Sequence, residues 1–334
     1  MTPVRYNTEG IALMMVLWVM AILIGLSLTL AYISRSESRV SSSSRQYVAA
    51  GFLAEGGINR AIVELYYRRT KPQDDETLWK IDGSFRSVEV VDGAALVRVM
   101  PETGKVDLNL SNDIILKGLV NALGIDADTQ DIIVDSIRDW MDSDDLHRLH
   151  GAESDYYMSL KRPYKAKNAP FDTVDELLMV RGVTPEIFYG TSDKKGLRDF
   201  VTVYNRIDNS KININAAPKE VLMALPNVTE EVASAIVEQR KAALFKNTAE
   251  LQALLPETYE AIKNYINVPN ENTEIFFSID SIGKSHDNAS SVGIKAIVEI
   301  SANDFRFVSY KMPETFKFQE QDDKSMENVT TNKQ

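Results

Sequence analysis

The sequence predicts an α+β fold in which one long N-terminal helix packs on an antiparallel sheet and a large all-α insertion interrupts that sheet. Three observations carry this prediction. An apolar run near the N-terminus continues without proline as far as Pro72. Short β-rich runs with turn signals lie on both sides of the middle of the chain. The middle itself is helical and contains an internal repeat.

Composition narrows the possible classes of protein. A chain of 334 residues has room for two or three domains, and its 44% hydrophobic content is that of a folded globular protein. The net charge of −11 argues against a general affinity for nucleic acid or anionic lipid. The chain has no cysteine, which excludes disulfides and thiolate metal sites.

The apolar run Ile11–Ile33 contains no charged residue and is long enough to cross a hydrocarbon core of about 30 Å as a helix. It follows a short polar segment, residues 1–10, that ends in Glu9-Gly10. A secretory signal peptide has a shorter apolar core and a small-residue cleavage site directly after it, which this sequence lacks. An uncleaved membrane anchor fits the length equally well, and basic residues on both sides leave its orientation open.

Beyond the apolar run, the same helix is predicted to continue to about Lys71, which gives it a length on the order of 90 Å. Basic residues near its end are those that a helix C-terminus favours, and Pro72 follows. A bend or break is most plausible at Ser41–Ser44 or Gly56-Gly57. Five apolar residues recur at helical spacing and are predicted to share one face: Val48, Phe52, Ile62, Leu65 and Tyr66.

The predicted strands come in two groups that flank the helical middle. The first is SFRSVEVVDGAALVRVMPE, in which Asp92-Gly93 is a strong hairpin signal. The second comprises NTEIFFSIDSIG and GIKAIVEISANDFRFVSYKM, with a turn at Asn303-Asp304. The polar stretch from about Gln319 has little to bury and is predicted to be disordered.

The helical middle reads as a duplicated unit. KVDLN at residues 105–109 recurs as KININ at residues 211–215, and a helical pattern follows each. Each copy then reaches an F-x-x-x-x-E-L segment, at Phe171–Leu177 and Phe245–Leu251. The first copy carries an additional loop of about thirty residues that begins at Trp140.

That loop concentrates carboxylates in DWMDSDDLHRLHGAESDYY, where Gly151 can make a tight turn. Carboxylates this dense repel one another unless they are solvated, separated or bridged by a cation, and oxygen ligands alone favour a hard cation such as Ca²⁺. The spacing is not that of an EF-hand, and a solvated acidic loop is the alternative. His147 and His150 are a weak zinc signal without a third nitrogen or sulfur ligand, so we interpret them as surface residues.

The paired helices also resemble helix-hairpin-helix, or SAM-like, modules, which bind phosphate through a glycine-rich hairpin. The corresponding hairpins, Leu123–Asp126 and Leu225–Val228, lack the two glycines, and the first carries an aspartate. Packing is therefore the favoured role of these hairpins. A membrane-anchored DNA-binding receptor remains the alternative function. No catalytic arrangement stands out, and we do not expect an enzyme.

Three segments together resemble a known family. The Gly10/Ile11 junction is similar to a type IV prepilin processing site, and DWMDSDD with GAESDYY and KININAAPKEVLMAL resembles the K-type minor pseudopilins of bacterial type II secretion systems (general secretion pathway protein K). The resemblance implies a type IV pilin-like fold. The implied domains are residues 1–10 (prepilin leader peptide), 11–33 (transmembrane half of the helix), 34–104 (pilin helix and first strands), 105–268 (helical insertion, with repeat one at 105–190, the acidic loop at 139–157 and repeat two at 211–267), 269–318 (C-terminal strands) and 319–334 (disordered tail).

The resemblance also implies a function and a set of partners. A prepilin peptidase would cut between Gly10 and Ile11, usually with methylation of the new N-terminus, and leave a single-pass inner-membrane protein with its C-terminal domain in the periplasm. It would form the pseudopilus tip with I-type and J-type minor pseudopilins. Its other partners would be the prepilin peptidase and the inner-membrane secretion platform, and it would not bind nucleic acid. Met15 stands at position five of the mature chain, where most pilins have glutamate. The family's acidic region holds calcium, and the matching residues here are Asp139, Asp142, Asp144, Asp145 and Glu153.

Overall fold

A computed structural model describes residues 9–71, 77–90, 93–191, 193–205, 210–269, 274–285, 290–302 and 304–316. The predictions for the leader before Glu9, for Asp92 and Asn303, and for the tail from Gln319 fall outside the described residues. The strands are β1 (Arg86–Val90), β2 (Gly93–Pro101), β3 (Val106–Asp107), β4 (Val201–Thr202), β5 (Ile212–Asn213), β6 (Ile266–Asn267), β7 (Phe276–Ser285), β8 (Ser291–Ile300) and β9 (Phe305–Glu314). The α-helices are α1 (Glu9–Arg69), α2 (Asp113–Ala122), α3 (Ala127–Met141), α4 (Ser154–Met158), α5 (Pro185–Tyr189), α6 (Lys219–Met223), α7 (Glu230–Ala242), α8 (Thr248–Leu254) and α9 (Pro256–Ile262), and short 3₁₀ turns span Glu102–Gly104, Val174–Met179 and Leu197–Asp199.

Helix α1 confirms the predicted long N-terminal helix. It runs for 61 residues through Ser41–Ser44 and Gly56-Gly57 without a break. Within the described ranges, it is the one helix long and apolar enough to cross a membrane, and its most apolar 18-residue window has a mean hydropathy of 2.5 and is 0% buried. The first half of α1 therefore has the composition of a membrane anchor.

The predicted antiparallel sheet is also confirmed, with the strand order β1-β2-β7-β8-β9. Strand β2 pairs with β7, and Pro101 at the end of β2 lies opposite Phe277 at the start of β7. The chain thus leaves the sheet at the end of β2 and returns to it at the start of the adjacent strand β7, so the helical insertion begins and ends at the same end of the sheet. Inside the insertion, β3 pairs with β4 and β5 with β6 as two-residue parallel ladders that the sequence did not predict.

The second half of α1 packs on the sheet through small residues. Ala50, Ala54, Ile58 and Ala61 are fully buried, and a Cβ added at Gly57 would lie 2.7 Å from Val97 Cγ2. The predicted face is correct for Ile62 and Leu65, which are buried, but wrong for Val48 and Phe52, which are 52% and 69% exposed. Close approach of a helix backbone to a sheet selects alanine and glycine, so large apolar residues alone do not define the contact face.

Two separate apolar cores result from this arrangement. One joins α1 to the sheet and contains Ile58, Leu65, Ile279 and Val298. The other fills the helical insertion, where Tyr157, Phe188 and Phe200 are among the largest fully buried side chains. Among the described residues, the two clusters share no member.

Polar side chains lie between the two cores, where the chain passes from the sheet into the insertion. We call this group, Glu102, Lys105 and Ser278, the joint. Lys105 and Glu102 form an ion pair of 2.5 Å with side-chain exposures of only 4% and 1%. Lys105 Nζ also donates to Ser278 Oγ on β7 (2.7 Å), and the same hydroxyl donates to Glu102. This group therefore ties the exit of the chain from the sheet to its return.

A row of charged side chains crosses the face of the sheet that is turned away from α1. The row is paired in register from strand to strand and comprises Arg98, Asp280, Lys295 and Lys311. Carboxylates of the insertion pair with two of its members, Asp199 with Lys295 (3.6 Å) and Asp175 with Lys311. The insertion thus contacts this face through ion pairs.

The two helical units share a set of internal hydrogen bonds. In the first, Asn109 Nδ2 donates to Phe171 O (3.0 Å) and Phe171 N donates to Asn109 Oδ1 (2.8 Å). In the second, Asn215 and Phe245 make the same two bonds, at 2.8 and 3.0 Å. The asparagine after each short strand therefore holds the phenylalanine that opens each F-x-x-x-x-E-L segment.

Candidate metal centre

The acidic site begins at the end of helix α3. Asp126 caps the start of this helix by accepting a hydrogen bond from Thr129 N (3.0 Å). One face is buried in the insertion core by Ile133, Val134, Ile137 and Trp140. Asp139 lies in the last turn with 0% exposure, and Asp142 is the C-cap. The helix thereby delivers two carboxylates to one point at the edge of the core.

The loop after α3 returns a third carboxylate to the same point. Glu153 is the N-cap of the short helix α4, but its side chain makes no capping hydrogen bond. Tyr157, fully buried, packs edge-to-face against Trp140 with ring centroids 5.3 Å apart. This aromatic contact anchors α4 on α3 and seats Glu153 beside the end of α3.

Asp139, Asp142 and Glu153, called here the acidic triad, form the centre of the site. One carboxylate oxygen from each lies within 4.8 Å of the others. Glu153 is 1% exposed, and among the described residues neither of its oxygens meets a hydrogen-bond donor, nor does Asp142 Oδ1. Asp144 and Asp145 are exposed and lie outside the triad. The structure therefore brings together three of the five predicted ligands.

Burial and mutual repulsion both disfavour the charged form of the triad. Burial, and then the charges of Asp139 and Asp142, raise the pKa of Glu153 to about 7. The pKa of Asp139 is also raised, mainly by burial and further by Asp142, and that of Asp142 is raised by burial and by Asp144. A buried carboxylate without a donor is costly, so this arrangement favours either a proton or a cation between the side chains.

A tight turn next to the triad holds Asp139 in place. Arg148 N donates to both Asp139 oxygens (3.2 and 3.1 Å), and Gly151 N closes the turn on Arg148 O (3.1 Å). The Arg148 guanidinium forms its shortest ion pair with Asp113 (2.8 Å), which is not a member of the triad. Arg181 Nη1 donates to Gly151 O (2.9 Å). Sequence reasoning singled out Gly151 as a turn but missed both arginines, because their partners are distant in sequence.

Two matches to family models coincide with these units. Both models are described as "Type II secretion system (T2SS), protein K", and they match residues 95–206 and 212–267. Together they span half of the chain. The chain belongs to the type II secretion system protein K family. The first match contains the acidic triad, and the second contains the compact helical unit. The family is by its description a component of secretion machinery, and this membership does not support the DNA-binding alternative.

Individual relatives in the protein K family agree with this assignment. The chain is 31% identical over 127 residues to type II secretion system protein K of Pectobacterium carotovorum subsp. carotovorum, covering 36% of this chain and 37% of the relative. It is 32% identical over 127 residues to a putative type II secretion system protein K of Escherichia coli (strain K12), covering 36% of each. The matched part thus spans little more than a third of the length of these curated relatives.

The fold is similar to that of a chain in the crystal structure of the GspK-GspI-GspJ complex from the enterotoxigenic Escherichia coli type 2 secretion system. The TM-score is 0.57 at 18% identity, and the match covers 84% of this chain and 99% of the other. At that identity the likeness establishes the fold, an α+β arrangement of long helix, antiparallel sheet and helical region.

The donor set in this protein K family member suits a hard cation. Three carboxylates offer up to six oxygens, and Ca²⁺ takes about six to eight oxygen ligands in flexible geometry. Zinc prefers nitrogen or sulfur, and His147 and His150 are exposed, as expected from the sequence; His150 Nδ1 lies 3.5 Å from Asp135. The unpartnered oxygens of Glu153 are the feature that a bound cation would satisfy.

The other predicted site residues lie on α1. Gly10 and Ile11 fall in its first turn, where the backbone is helical and the side chains are outside the described set. Met15 is 61% exposed on the apolar half of the helix. Cleavage at Gly10/Ile11 and the role of Met15 therefore stay predictions.

Proposed function

We propose that this chain is a minor pseudopilin at the tip of the periplasmic pseudopilus and that it supports the export of folded proteins across the outer membrane. The observation that carries the proposal is one uninterrupted helix, α1, whose first half is apolar and exposed and whose second half packs on an antiparallel sheet. That build supplies a membrane-embedded helix and a rigid connection to a folded domain. Membership of the protein K family supports it.

In this proposal α1 anchors the protein in the bacterial inner membrane as a single pass, with the remaining domains in the periplasm. The sheet and α1 together form the type IV pilin-like part. The apolar half of α1 associates with the helices of other subunits through small and apolar residues such as Ala21 and Gly25. A Cβ added at Gly25 would meet nothing within 4 Å in this chain.

We expect the anchor to be processed by a prepilin peptidase between Gly10 and Ile11. The intact mass of the membrane-extracted protein should fall by residues 1–10 only when the peptidase is co-expressed, usually with a methyl group added at Ile11. A matched Gly10→Leu variant should keep the unprocessed mass. An unchanged mass in both wild-type samples would indicate a plain anchor, and loss of the whole apolar run would overturn the tip proposal.

The proposed partners are the I-type and J-type minor pseudopilins, with the inner-membrane secretion platform as the site of assembly. The solved relative of similar fold comes from a GspK-GspI-GspJ complex, which supports this choice. A carboxylate inside a membrane is costly unless it is paired. A subunit with Met15 in place of the usual glutamate needs no neighbour above it, which suits a terminal position.

The helical insertion supplies the bulk that ends the assembly. We interpret its two units as copies of one repeat, because the Asn109–Phe171 and Asn215–Phe245 hydrogen bonds recur in equivalent places. The insertion projects from the end of the sheet where β2 and β7 meet it. A body of this size at that end would block the stacking of a further subunit.

We propose that the acidic triad holds a structural calcium ion. Glu153, Asp142 and Asp139 would be direct ligands, and Asp144 and Asp145 would contribute long-range negative charge. A bound Ca²⁺ supplies positive charge that offsets the repulsion within the triad, and it links the end of α3 to the N-terminus of α4. The loop between them would then be fixed at both ends.

Calcium should raise the thermal unfolding midpoint of the purified chain, and a chelator should reverse the effect. At a hundredfold excess over its Kd, a ligand adds about 2.7 kcal/mol, which corresponds to a shift of about 5–10 °C for a domain of about 150–250 residues, the size class of the helical insertion. Magnesium, which demands strict octahedral geometry, should have a smaller effect. The Glu153→Gln variant should lose the shift, whereas Asp155→Asn, an exposed carboxylate of the same loop, should keep it. If calcium does not shift the unfolding midpoint of the wild type, the acidic loop is solvated and holds no calcium ion.

The chelated protein should also become less stable as the pH rises from about 4.5 to about 7. The pKa of Glu153 is raised from 4.5 to about 7 in the folded protein, so the folded state binds more protons than the unfolded state in this window. Stability therefore falls as the proton is lost. Calcium holds the carboxylate ionised and should flatten this dependence. The measurement is the unfolding midpoint against pH with and without calcium, and an unchanged slope contradicts the assignment of Glu153.

A further inference from the structure

We propose that Gly151 is a positioning residue of the acidic site, whose missing side chain leaves the space that the Asp139 carboxylate occupies. The inference rests on the proposed calcium function. It concerns a residue that binds nothing itself and acts through Asp139.

The contact between Gly151 and Asp139 is direct. A Cβ at position 151 would lie 2.7 Å from Asp139 Cγ, 3.1 Å from Asp139 Oδ1, and closer still to Oδ2. Those distances are too short for any side chain, so one of the two groups would have to move. Gly151 is fully buried and its backbone is outside the left-handed region, so alanine would be excluded by space alone.

Neither group has freedom to move away. Asp139 is fixed by Arg148 N, which donates to both of its oxygens, and by its place in the last turn of α3. Gly151 is fixed by its own hydrogen bond to Arg148 O and by Arg181 Nη1 on its carbonyl. Arg181 is itself held, because its guanidinium lies 4.7 Å from the centre of the Tyr156 ring. The turn therefore holds the Asp139 carboxylate against the backbone of Gly151, and we call this arrangement the clamp.

This clamp orients one ligand of the triad before any cation binds. Within the described part of the chain, both oxygens of Glu153 and Asp142 Oδ1 lack a hydrogen-bond partner, whereas both oxygens of Asp139 already have a donor. Groups that orient metal ligands from outside the coordination sphere typically contribute about 10- to 100-fold in metal affinity. Displacing Asp139 should have an effect in that range.

The first test compares Gly151→Ala with Gly56→Ala, a matched control on α1 where a Cβ meets nothing within 4 Å. Calcium affinity of the full-length protein in detergent is measured by competition with Tb³⁺, whose luminescence the nearby Trp140 should sensitise. We expect Gly151→Ala to weaken calcium binding about 10- to 100-fold and Gly56→Ala to leave it unchanged.

The second test asks whether the effect passes through Asp139. In the metal-free protein, Gly151→Ala should lower the unfolding midpoint when Asp139 is present. In an Asp139→Ala background the space is free, so adding Gly151→Ala should cause no further loss. Additive losses would show that the glycine acts through another contact and would overturn the inference.

The outcomes separate this inference from the proposed function. If the wild type binds neither Tb³⁺ nor calcium, the calcium proposal fails and this inference fails with it. If the wild type and Gly151→Ala bind calcium equally well, calcium stands and the positioning role falls. Weakened binding by Gly151→Ala, with non-additive melting in the Asp139→Ala background, supports both.

Discussion

Replacing Lys105 by methionine should lower the free energy of unfolding by about 3–5 kcal/mol, the range seen when one partner of a buried ion pair is removed. Lys105 and Glu102 are both buried, and their 2.5 Å ion pair shares a hydroxyl with Ser278 on β7. Without Lys105, the Glu102 carboxylate stays in the interior, and in the described part of the chain the Ser278 hydroxyl is the side-chain donor that remains to it. Glu102 Oε2 already lacks a donor among the described residues.

Chemical unfolding of the full chain in detergent, followed by tryptophan fluorescence, measures this loss. Trp79 packs against the sheet core and Trp140 lies in the insertion core, so replacing Trp18 and one of these two by phenylalanine assigns the transition. The decisive control is Lys105→Met combined with Glu102→Leu. Removing both charges should recover most of the stability, because an apolar pair carries no desolvation cost. A single variant that unfolds like the wild type would mean that the joint is open to water.

The joint explains why the insertion keeps a defined position on the sheet. The two apolar cores share no member among the described residues, and the tilted contact between the Tyr204 and Phe276 rings (centroids 6.4 Å apart) adds apolar packing between the insertion and β7. Ion pairs such as Lys295 with Asp199 are directional and fit one placement only. Such half-buried pairs contribute less to stability than a fully buried, hydrogen-bonded group, so we expect the Lys105 group to contribute more to the coupling than any one of them.

The long helix and the sheet were predictable because their signals are local. Pro72 and the preceding basic residues mark the end of α1 to within a few residues. Alternating apolar residues and glycine-containing turns mark β2 and its neighbours. The short ladder between β3 and β4 was not predictable, because Val106 and Val201 meet only after the whole first helical unit has folded between them.

The acidic site was predictable in kind but not in its membership. The density of carboxylates pointed to the loop, and the family resemblance gave five candidate ligands without separating the buried ones from the exposed ones. The structure buries Asp139 and leaves Asp144 and Asp145 exposed, because Arg148 N and the Tyr157–Trp140 contact pull one end of the loop onto α3. Those contacts depend on tertiary packing, which no spacing rule reports.

The face of α1 that meets the sheet was misjudged for a related reason. Helical spacing of large apolar residues selected Val48 and Phe52, which are exposed. The sheet instead approaches the helix backbone itself at Gly283 on β7. A Cβ at Gly283 would lie 2.5 Å from Ala54 N and 3.0 Å from Ala50 C, and nearer still to Ala50 O. The contact is thus between two backbones and has no room for a side chain.

Replacing Gly283 by valine should therefore destabilise the protein by about 3 kcal/mol, the upper end of the range for overpacking a well-packed core. The atoms that a side chain would meet belong to the α1 backbone and have no rotamers through which to yield, so the helix must move off the sheet. That movement would loosen the contacts of Ile58 and Ala61, which are fully buried.

Gly56→Val is the matched control, because position 56 faces open space and should tolerate the same change within a few tenths of a kcal/mol. Urea unfolding of both variants measures the difference, and equal midpoints would mean that α1 does not lie against β7. A loss confined to Gly283→Val would show that the second half of α1 is held to the sheet at this backbone contact.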